Sequence, residues 1–161
     1  MKIAWGFIIF AIMSSLSFAD TTMPSKETLL SNFDKLGIAA KSKWTNGMSP
    51  DGVKLLSYRV NGDIYSLNPD FISSFSIGKG DKNKAEFLHS EEVCQNLVYA
   101  VMGEKNNDIG SLVSNIIYGA ARSVNKEAAA EIKDFWIEAS FISIKEHPTL
   151  ACKVSKMSTW D

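Results

Sequence analysis

Histidine is scarce in this chain of 161 residues, which has only His89 and His147. A Ser-His-Asp triad or a histidine general base would have to use one of these two side chains, and neither stands in a recognisable catalytic motif. The HSEEVC sequence at 89–94 holds His, Glu and Cys, but its spacing matches no zinc pattern. We therefore predict no catalytic residue, no metal site and no cofactor, and we expect that the protein is not an enzyme.

One enzymatic alternative does not need histidine. Glycoside hydrolases use pairs of carboxylates that are distant in sequence, so a search for local motifs does not exclude them. The candidate carboxylates are Asp63, Asp70, Glu86 and Asp134, and their sequence context does not rank them. A cleft that held two of them within about 5–10 Å of each other would favour this alternative.

Neither sign of charge is in excess, with 17 basic and 18 acidic residues. Proteins that bind nucleic acid usually carry a clustered basic excess, so we do not expect nucleic acid as a partner. Long apolar runs are missing from the chain after the N-terminal region. The most apolar stretch there, 109–124, is interrupted by Asn115 and Arg122 and is too short for a membrane span. We therefore expect no stable membrane insertion of the mature protein.

The N-terminus does contain an apolar run, of the kind that directs export. Lys2 precedes the apolar residues 5–12, and small residues follow at 15–19, a pattern typical of a cleaved signal peptide. No cysteine lies near the expected cleavage point, the first being Cys94, which argues against a lipoprotein. We predict that residues 1–19 are a signal peptide and that residues 20–161 form a single α+β domain. We expect this domain to be periplasmic or secreted, in a bacterium.

Cysteine is as rare as histidine, and its number is informative. Cys94 and Cys152 are the only two, and an even pair in an exported protein usually forms a disulfide. The bridge would close a loop of about 59 residues, and the loss of loop-closure entropy in the unfolded chain would stabilise the fold. We predict this bridge; two unpaired buried thiols are the alternative.

The first half of the domain predicts a helix followed by a β-hairpin. Ser25 can cap a helix whose apolar residues recur at three- and four-residue steps over 29–44. Asn61-Gly62 is the preferred pair for a two-residue type I′ turn, and it joins strands predicted at 53–60 and 63–67.

The register of this hairpin follows from two signals that agree. The turn pairs Val60 with Asp63 and so places Tyr58 opposite Tyr65, and the alternation of apolar side chains requires the same pairing. Residues 71–77 fit either a third strand or a helix. Their serines and β-branched isoleucines favour the strand.

The second half of the domain predicts only helices, at 90–103, at 109–124 and at 126–146, before Pro148. The predicted fold class is therefore α+β. An N-terminal helix and a small antiparallel hairpin or sheet would pack on a C-terminal three-helix layer, and one disulfide would hold the tail to the first of these helices.

An exported domain of this size without a reactive cluster is more often a binding protein than an enzyme. We predict a periplasmic binding or inhibitory protein, such as an immunity protein that neutralises a secreted antibacterial effector. The alternative is an accessory or chaperone of an envelope assembly system, for a pilus or for secretion. Another protein, an effector or an envelope component, would be the partner. The candidate partner-binding residues are Tyr58, Tyr65, Lys79, Lys82 and Lys84; for the tyrosines, the alternative role is to cover the helical layer.

Overall fold

The computed structural model describes residues 22–80 and 84–156. The predicted signal peptide and its cleavage point lie outside these residues, and so does Lys82. The helices are α1 (Lys26–Lys35), α2 (Lys84–Met102) and α3 (Asn107–Arg122). The strands are β1 (Thr45–Met48), β2 (Lys54–Val60), β3 (Asp63–Leu67), β4 (Phe71–Ile77), β5 (Glu127–Ile132), β6 (Phe135–Ile144) and β7 (His147–Lys156).

All seven strands form one antiparallel sheet, in the order β1-β2-β3-β4-β7-β6-β5. Two meanders, β1–β4 and β5–β7, meet where β4 pairs with β7. The helices α2 and α3 connect the two meanders. The predicted C-terminal three-helix layer is therefore wrong, because two of its helices lie between strands and the third is not a helix.

Residues 126–146 form strands β5 and β6, where the spacing of apolar residues predicted the third helix. The side chains of Ile132, Phe135, Ile137 and Ala139 are buried. On β6 the buried positions alternate with exposed or half-buried ones, which is the period of a strand. The run EAAAEIK has high helix propensity, and the turn after it carries no Asn-Gly signal. This run forms β5, and its pairing with β6, which in turn pairs with β7, overrides the local helix preference.

The local predictions around the hairpin are confirmed. Strand β2 pairs with β3 in the predicted register, with Val60 opposite Asp63 and Tyr58 opposite Tyr65. Both turn residues, Asn61 and Gly62, have positive φ angles, of 51° and 95°, as a type I′ turn requires. Residues 71–77 form strand β4, as their composition favoured.

The ends of the helices differ in part from the predicted ones. Ser25 caps α1 as predicted, but this helix ends at Lys35, before Gly37 with φ +70°. Helix α2 begins at Lys84 instead of Ser90, and the Ser90 side chain is buried within it. Helix α3 is capped by Asn106, whose side chain accepts hydrogen bonds from two backbone N–H groups.

The three helices cover a single face of the sheet. In α1 the buried side chains are Leu29, Leu30 and Phe33. In α2 and α3 the fully covered positions include Leu97, Val98, Val113, Ile117 and Ala120. The strands contribute alternate side chains to this core, among them Tyr65, Leu67, Ile72, Ile132, Phe135, Ile137, Ala139, Leu150, Cys152 and Val154. Within residues 22–80 and 84–156, no helix combines the length and the apolar character that a membrane span needs.

The predicted disulfide is confirmed. Cys94 of α2 and Cys152 of β7 are bonded, with their Cα atoms 5.7 Å apart, and both side chains are almost fully buried. Cys152 lies in a strand near the middle of the sheet and not in a loose tail. The bond therefore connects the helical layer to the strand that joins the two meanders, and a disulfide is typical of proteins outside the reducing cytosol.

Replacing both cysteines should lower the stability of the protein without changing its fold. We expect Cys94→Ala/Cys152→Ala to lower the free energy of unfolding by about 4 kcal/mol, the chain-entropy value for a loop of this length. Urea denaturation measures the change. A reductant should destabilise the wild type by a similar amount and leave the variant unaffected; equal stability of the two oxidised proteins would contradict this prediction.

The turn between β6 and β7 stores conformational strain that a substitution can remove. Lys145 and Glu146 both have positive φ angles, of 49° and 70°, which cost residues with a Cβ roughly 1 kcal/mol each. We expect Lys145→Asn/Glu146→Gly to raise the free energy of unfolding by about 1–2 kcal/mol, measured in urea. The matched control is Asn61→Ala/Gly62→Ala in the β2–β3 turn, which should lower it; changes of the same sign in both would contradict this explanation.

Candidate partner-binding site

Three connections of the chain lie together at one end of the sheet. The N–H of Ile77 donates to the carbonyl of Gly62 at 3.4 Å, and the N–H of Gly78 donates to the carbonyl of Pro148 at 2.7 Å. These bonds place the β2–β3 turn, the loop after β4 and the start of β7 side by side. We call this region, with residues 61–62, 78–80, 84–90 and 145–148, the turn end.

Gly78 and Glu86 hold the loop after β4 against the sheet. A Cβ atom on Gly78 would lie 2.8 Å from Glu86 Oε1 and 2.9 Å from the Pro148 carbonyl oxygen, so only glycine fits without a shift. The carboxylate of Glu86 accepts a hydrogen bond from the N–H of Lys79. The loop therefore leaves the sheet along a defined path, and the Lys79 side chain is exposed to solvent.

The structure brings two of the predicted lysines to the turn end. Lys79 lies in the loop and Lys84 is the first residue of α2, and both are exposed. A third lysine, Lys145, reaches the same end through the β6–β7 turn, and it is exposed as well. Sequence reasoning missed Lys145 because it assigned that segment to a helix.

A histidine–aspartate pair ties the start of β3 to α2 at the turn end. His89 Nε2 lies 2.9 Å from Asp63 Oδ2, with the Asp63 side chain 6% exposed and the His89 side chain 52% exposed. Beside it, the buried hydroxyl of Ser90 donates to that of Ser76 at 3.0 Å, and Ser76 is the cross-strand neighbour of Asp63. His89 thus gives the buried Asp63 carboxylate a hydrogen-bond partner, which a buried charged group requires.

The four candidate carboxylates separate into two groups. Asp63 and Glu86 belong to the turn end, where the first contacts His89 and the second accepts from a backbone N–H. Asp70 and Asp134 follow β3 and precede β6, at the opposite end of the sheet. A carboxylate of the first group and a carboxylate of the second are therefore separated by the length of the strands.

The two tyrosines of the hairpin lie on the face of the sheet that the helices cover. Tyr65 is 3% exposed, and its ring packs edge-on against Phe33 with the centroids 5.4 Å apart. Tyr58 is half-buried and stacks on Tyr65 with the centroids 6.3 Å apart, beside Trp44. Covering the helical layer is therefore the role that the packing gives to these rings, and a contact with a partner stays a prediction.

Burial also changes the acidity of Tyr65. Desolvation is the largest effect and raises the pKa of the phenol, and the negative charge of Asp63 raises it further. A hydrogen bond with the Asn96 side chain acts in the opposite direction but is smaller. The phenol is therefore held neutral inside the fold.

The raised pKa of Tyr65 makes part of the protein's stability depend on alkaline pH. Below about pH 10 the phenol is protonated in both the folded and the unfolded chain, so the contribution is constant. Above about pH 10 the phenol of Tyr65 ionises in the unfolded chain before it does so in the folded one, and the free energy of unfolding falls as pH rises. We expect Tyr65→Phe to make the loss of stability between about pH 10 and pH 11.5 shallower, measured by urea denaturation at each pH. Tyr118→Phe, at an exposed position, is the control, and an unchanged slope in Tyr65→Phe would contradict the assignment.

A cleft of about 200 Å³ opens at the turn end between α2 and the strands β6 and β7. Its apolar wall includes Phe87 and Phe141, whose rings stack with the centroids 6.3 Å apart. Gly78, Glu86 and Pro148 also line it, so the loop that carries Lys79 borders it. A larger groove of about 450 Å³ lies at the opposite end of the sheet, between the start of α1 and strands β2–β4.

The turn end thus combines exposed lysines with a small apolar cleft. Among the described residues, no group of three or more His, Cys, Asp or Glu side chains is placed to hold a metal ion. A comparison with protein-family models, with curated proteins and with solved structures finds no match for this chain.

Proposed function

We propose that this is an exported protein that binds another protein through the turn end and blocks its working surface. The observation that carries the proposal is that Lys79, Lys84 and Lys145, from three separate parts of the chain, are exposed at the same end of the sheet as one apolar cleft, whose lining includes Gly78, the neighbour of Lys79. A protein interface commonly has an apolar centre within a charged rim. The partner surface that complements this one is acidic with a protruding apolar side chain.

The local charge at the turn end matters more than the nearly neutral total. Charges act over roughly 8 Å at physiological ionic strength, so the acids that offset these lysines are mainly those of the turn end itself, Glu86 and Glu146, and its local charge is slightly positive. Their main contribution is to accelerate association and to select among partners.

Rigidity of the turn end supports inhibition by occlusion. Backbone hydrogen bonds from Ile77 and Gly78, the bond from the Lys79 N–H to Glu86, and the His89–Asp63 contact hold its segments before any partner arrives. The Cys94–Cys152 bond connects α2 to the sheet below. A surface ordered in advance loses little conformational entropy on binding.

The most specific form of the proposal is an immunity protein. Such a protein would act in the periplasm, where the disulfide is stable, and would cover the active site of a secreted antibacterial effector. The exported location is the one that the predicted signal peptide at 1–19 favours, and the exposed lysines of the turn end suit an effector whose substrate-binding surface is acidic.

Reversing the charge of two turn-end lysines tests the binding surface. We expect Lys79→Glu/Lys84→Glu to weaken capture of the partner from an effector and envelope extract of the native host by about tenfold, since rim charge pairs contribute up to about 1 kcal/mol each. The bait is crosslinked in the extract, and the captured proteins are identified and quantified by mass spectrometry.

The control is Lys26→Glu/Lys105→Glu, two exposed lysines at the other end of the sheet with the same change in net charge. Binding should be retained in the control, and added salt should weaken the wild type more than the turn-end variant. Equal losses in both variants would show that net charge and not the turn end controls binding. Capture of no effector or envelope protein by the wild type would exclude the proposal.

A further inference from the structure

The face of the sheet opposite the helices carries an ordered set of side chains that the proposed function does not use. We call it the open face. Alternate residues of each strand point to it, and several large apolar side chains there are half-buried or exposed. Trp136 and Ile142 are 37% and 41% exposed. The other large apolar members are Leu55, Ile64, Phe71, Phe75 and Ile77.

The strand registers arrange the open face in rows that run across the sheet. Each of the first two rows has a residue from six strands. The first row, nearer the turn end, is Arg59, Ile64, Phe75, Ala151, Ser140 and Glu127. The middle row is Ser57, Ser66, Ser73, Lys153, Glu138 and Ala129. The third row is Leu55, Phe71, Ser155, Trp136 and Glu131, with Asn68, the residue after β3, hydrogen-bonded to the Phe71 carbonyl.

Side-chain size changes sharply at the boundary between β4 and β7. On β4 the outer rows carry Phe71 and Phe75, whereas on β7 their direct neighbours are Ser155 and Ala151. The open face therefore has a ridge of two rings along one central strand and a furrow along the next. In the middle row the sizes are reversed, with Lys153 on β7 opposite Ser73 on β4, and Lys153 Nζ lies 5.5 Å from the centroid of the Phe71 ring.

Charge follows the same division. Arg59 lies on β2 and Glu127 on β5, in one row, each three strands from the β4–β7 boundary. Both are exposed. The five strand spacings between them amount to about 24 Å, so these two charges do not pair within one molecule.

We propose that two copies of this chain pack open face to open face, about a two-fold axis that runs along the strands at the β4–β7 boundary. This axis places Phe75 over Ala151 of the second copy and Phe71 over Ser155 of the second copy. It also brings Arg59 of each copy beside Glu127 of the other, so that two such charge pairs form. A surface that is complementary to itself in both size and charge is what a two-fold dimer interface requires.

Several of the remaining positions agree with this arrangement, although it places Glu131 beside Leu55 of the second copy. Lys153 and Glu138, an ion pair at 3.1 Å, would lie over Ser73 and Ser66 of the second copy, whose hydroxyls can hydrogen-bond to charged groups. Trp136 would lie beside Asn68 of the second copy, the residue that follows β3 and whose N–H donates to the Phe71 carbonyl. The two sheets would be nearly aligned, as sheets in face-to-face packing are.

The size of the open face suits a reversible dimer. Six strands and about seven residues along each give an area on the order of 600 Å² per copy, which is near the lower limit for a specific interface. The axis runs along the strands, so both turn ends would point the same way. The dimer would present two copies of the binding surface side by side, although the inference does not depend on that function.

A charge exchange tests the arrangement. The full chain is expressed with export and purified with its disulfide intact, and its mass is measured by sedimentation equilibrium over a range of concentrations. We expect a dimer with a dissociation constant in the micromolar range. Arg59→Glu and Glu127→Arg should each weaken this dimer about tenfold, because each substitution affects two charge pairs. The double variant Arg59→Glu/Glu127→Arg should restore the wild-type affinity, because it recreates both pairs only between copies.

Ala151→Phe provides a steric test, since it fills the furrow and should abolish the dimer while the circular dichroism and the disulfide remain native. Arg122→Glu on α3, away from the open face, is the charge-matched control and should dimerise like the wild type. A monomer at millimolar concentration would overturn the proposal. So would a dimer that responds to Glu127→Arg but not to Arg59→Glu or Ala151→Phe, which would indicate pairing through the edge of β5.

Discussion

The packing of three helices against one face of the sheet is the contact on which the rest of the structure depends. It buries side chains from every helix, including Phe33, Leu97 and Ile117, and a two-layer fold of this kind has a single core. The Cys94–Cys152 bond crosses the same layer boundary. It joins α2 to β7, and β7 with β4 is where the two meanders meet. One interface and one covalent bond therefore hold both halves of the chain.

Because the helices cover one face of the sheet, the molecule has surfaces of different character. The helix-covered face stabilises the fold and takes in the hairpin tyrosines, which the sequence suggested for binding. The turn end is held by backbone bonds and by Glu86, so it presents exposed lysines at little conformational cost. The open face keeps apolar side chains at an ordered spacing, no layer formed by residues 22–80 or 84–156 covers it, and such a surface commonly marks an association site.

The buried polar groups at the turn end have structural partners. Asp63 contacts His89, and Ser90 bonds to Ser76. These groups connect β3 and β4 to α2 at the point where the loop with Lys79 leaves the sheet. The same contacts that satisfy buried polar atoms thus set the geometry of the proposed binding surface, which explains why a histidine with no catalytic motif stands at this position.

Short sequence signals determined the elements that form through contacts between neighbouring residues. Asn61-Gly62 and the side-chain alternation around it specify the same hairpin, Ser25 specifies the start of α1, and two cysteines can form only one intramolecular bridge. Tertiary structure decided residues 126–146, because Ala, Glu and Lys favour a helix there, and they become strands only as part of the β5–β7 meander, whose β7 pairs with the distant β4. It also decided the meeting of β4 with β7, the position of Lys145 and the rows of the open face. These depend on contacts between residues far apart in the chain, which leave no trace in any short window of sequence.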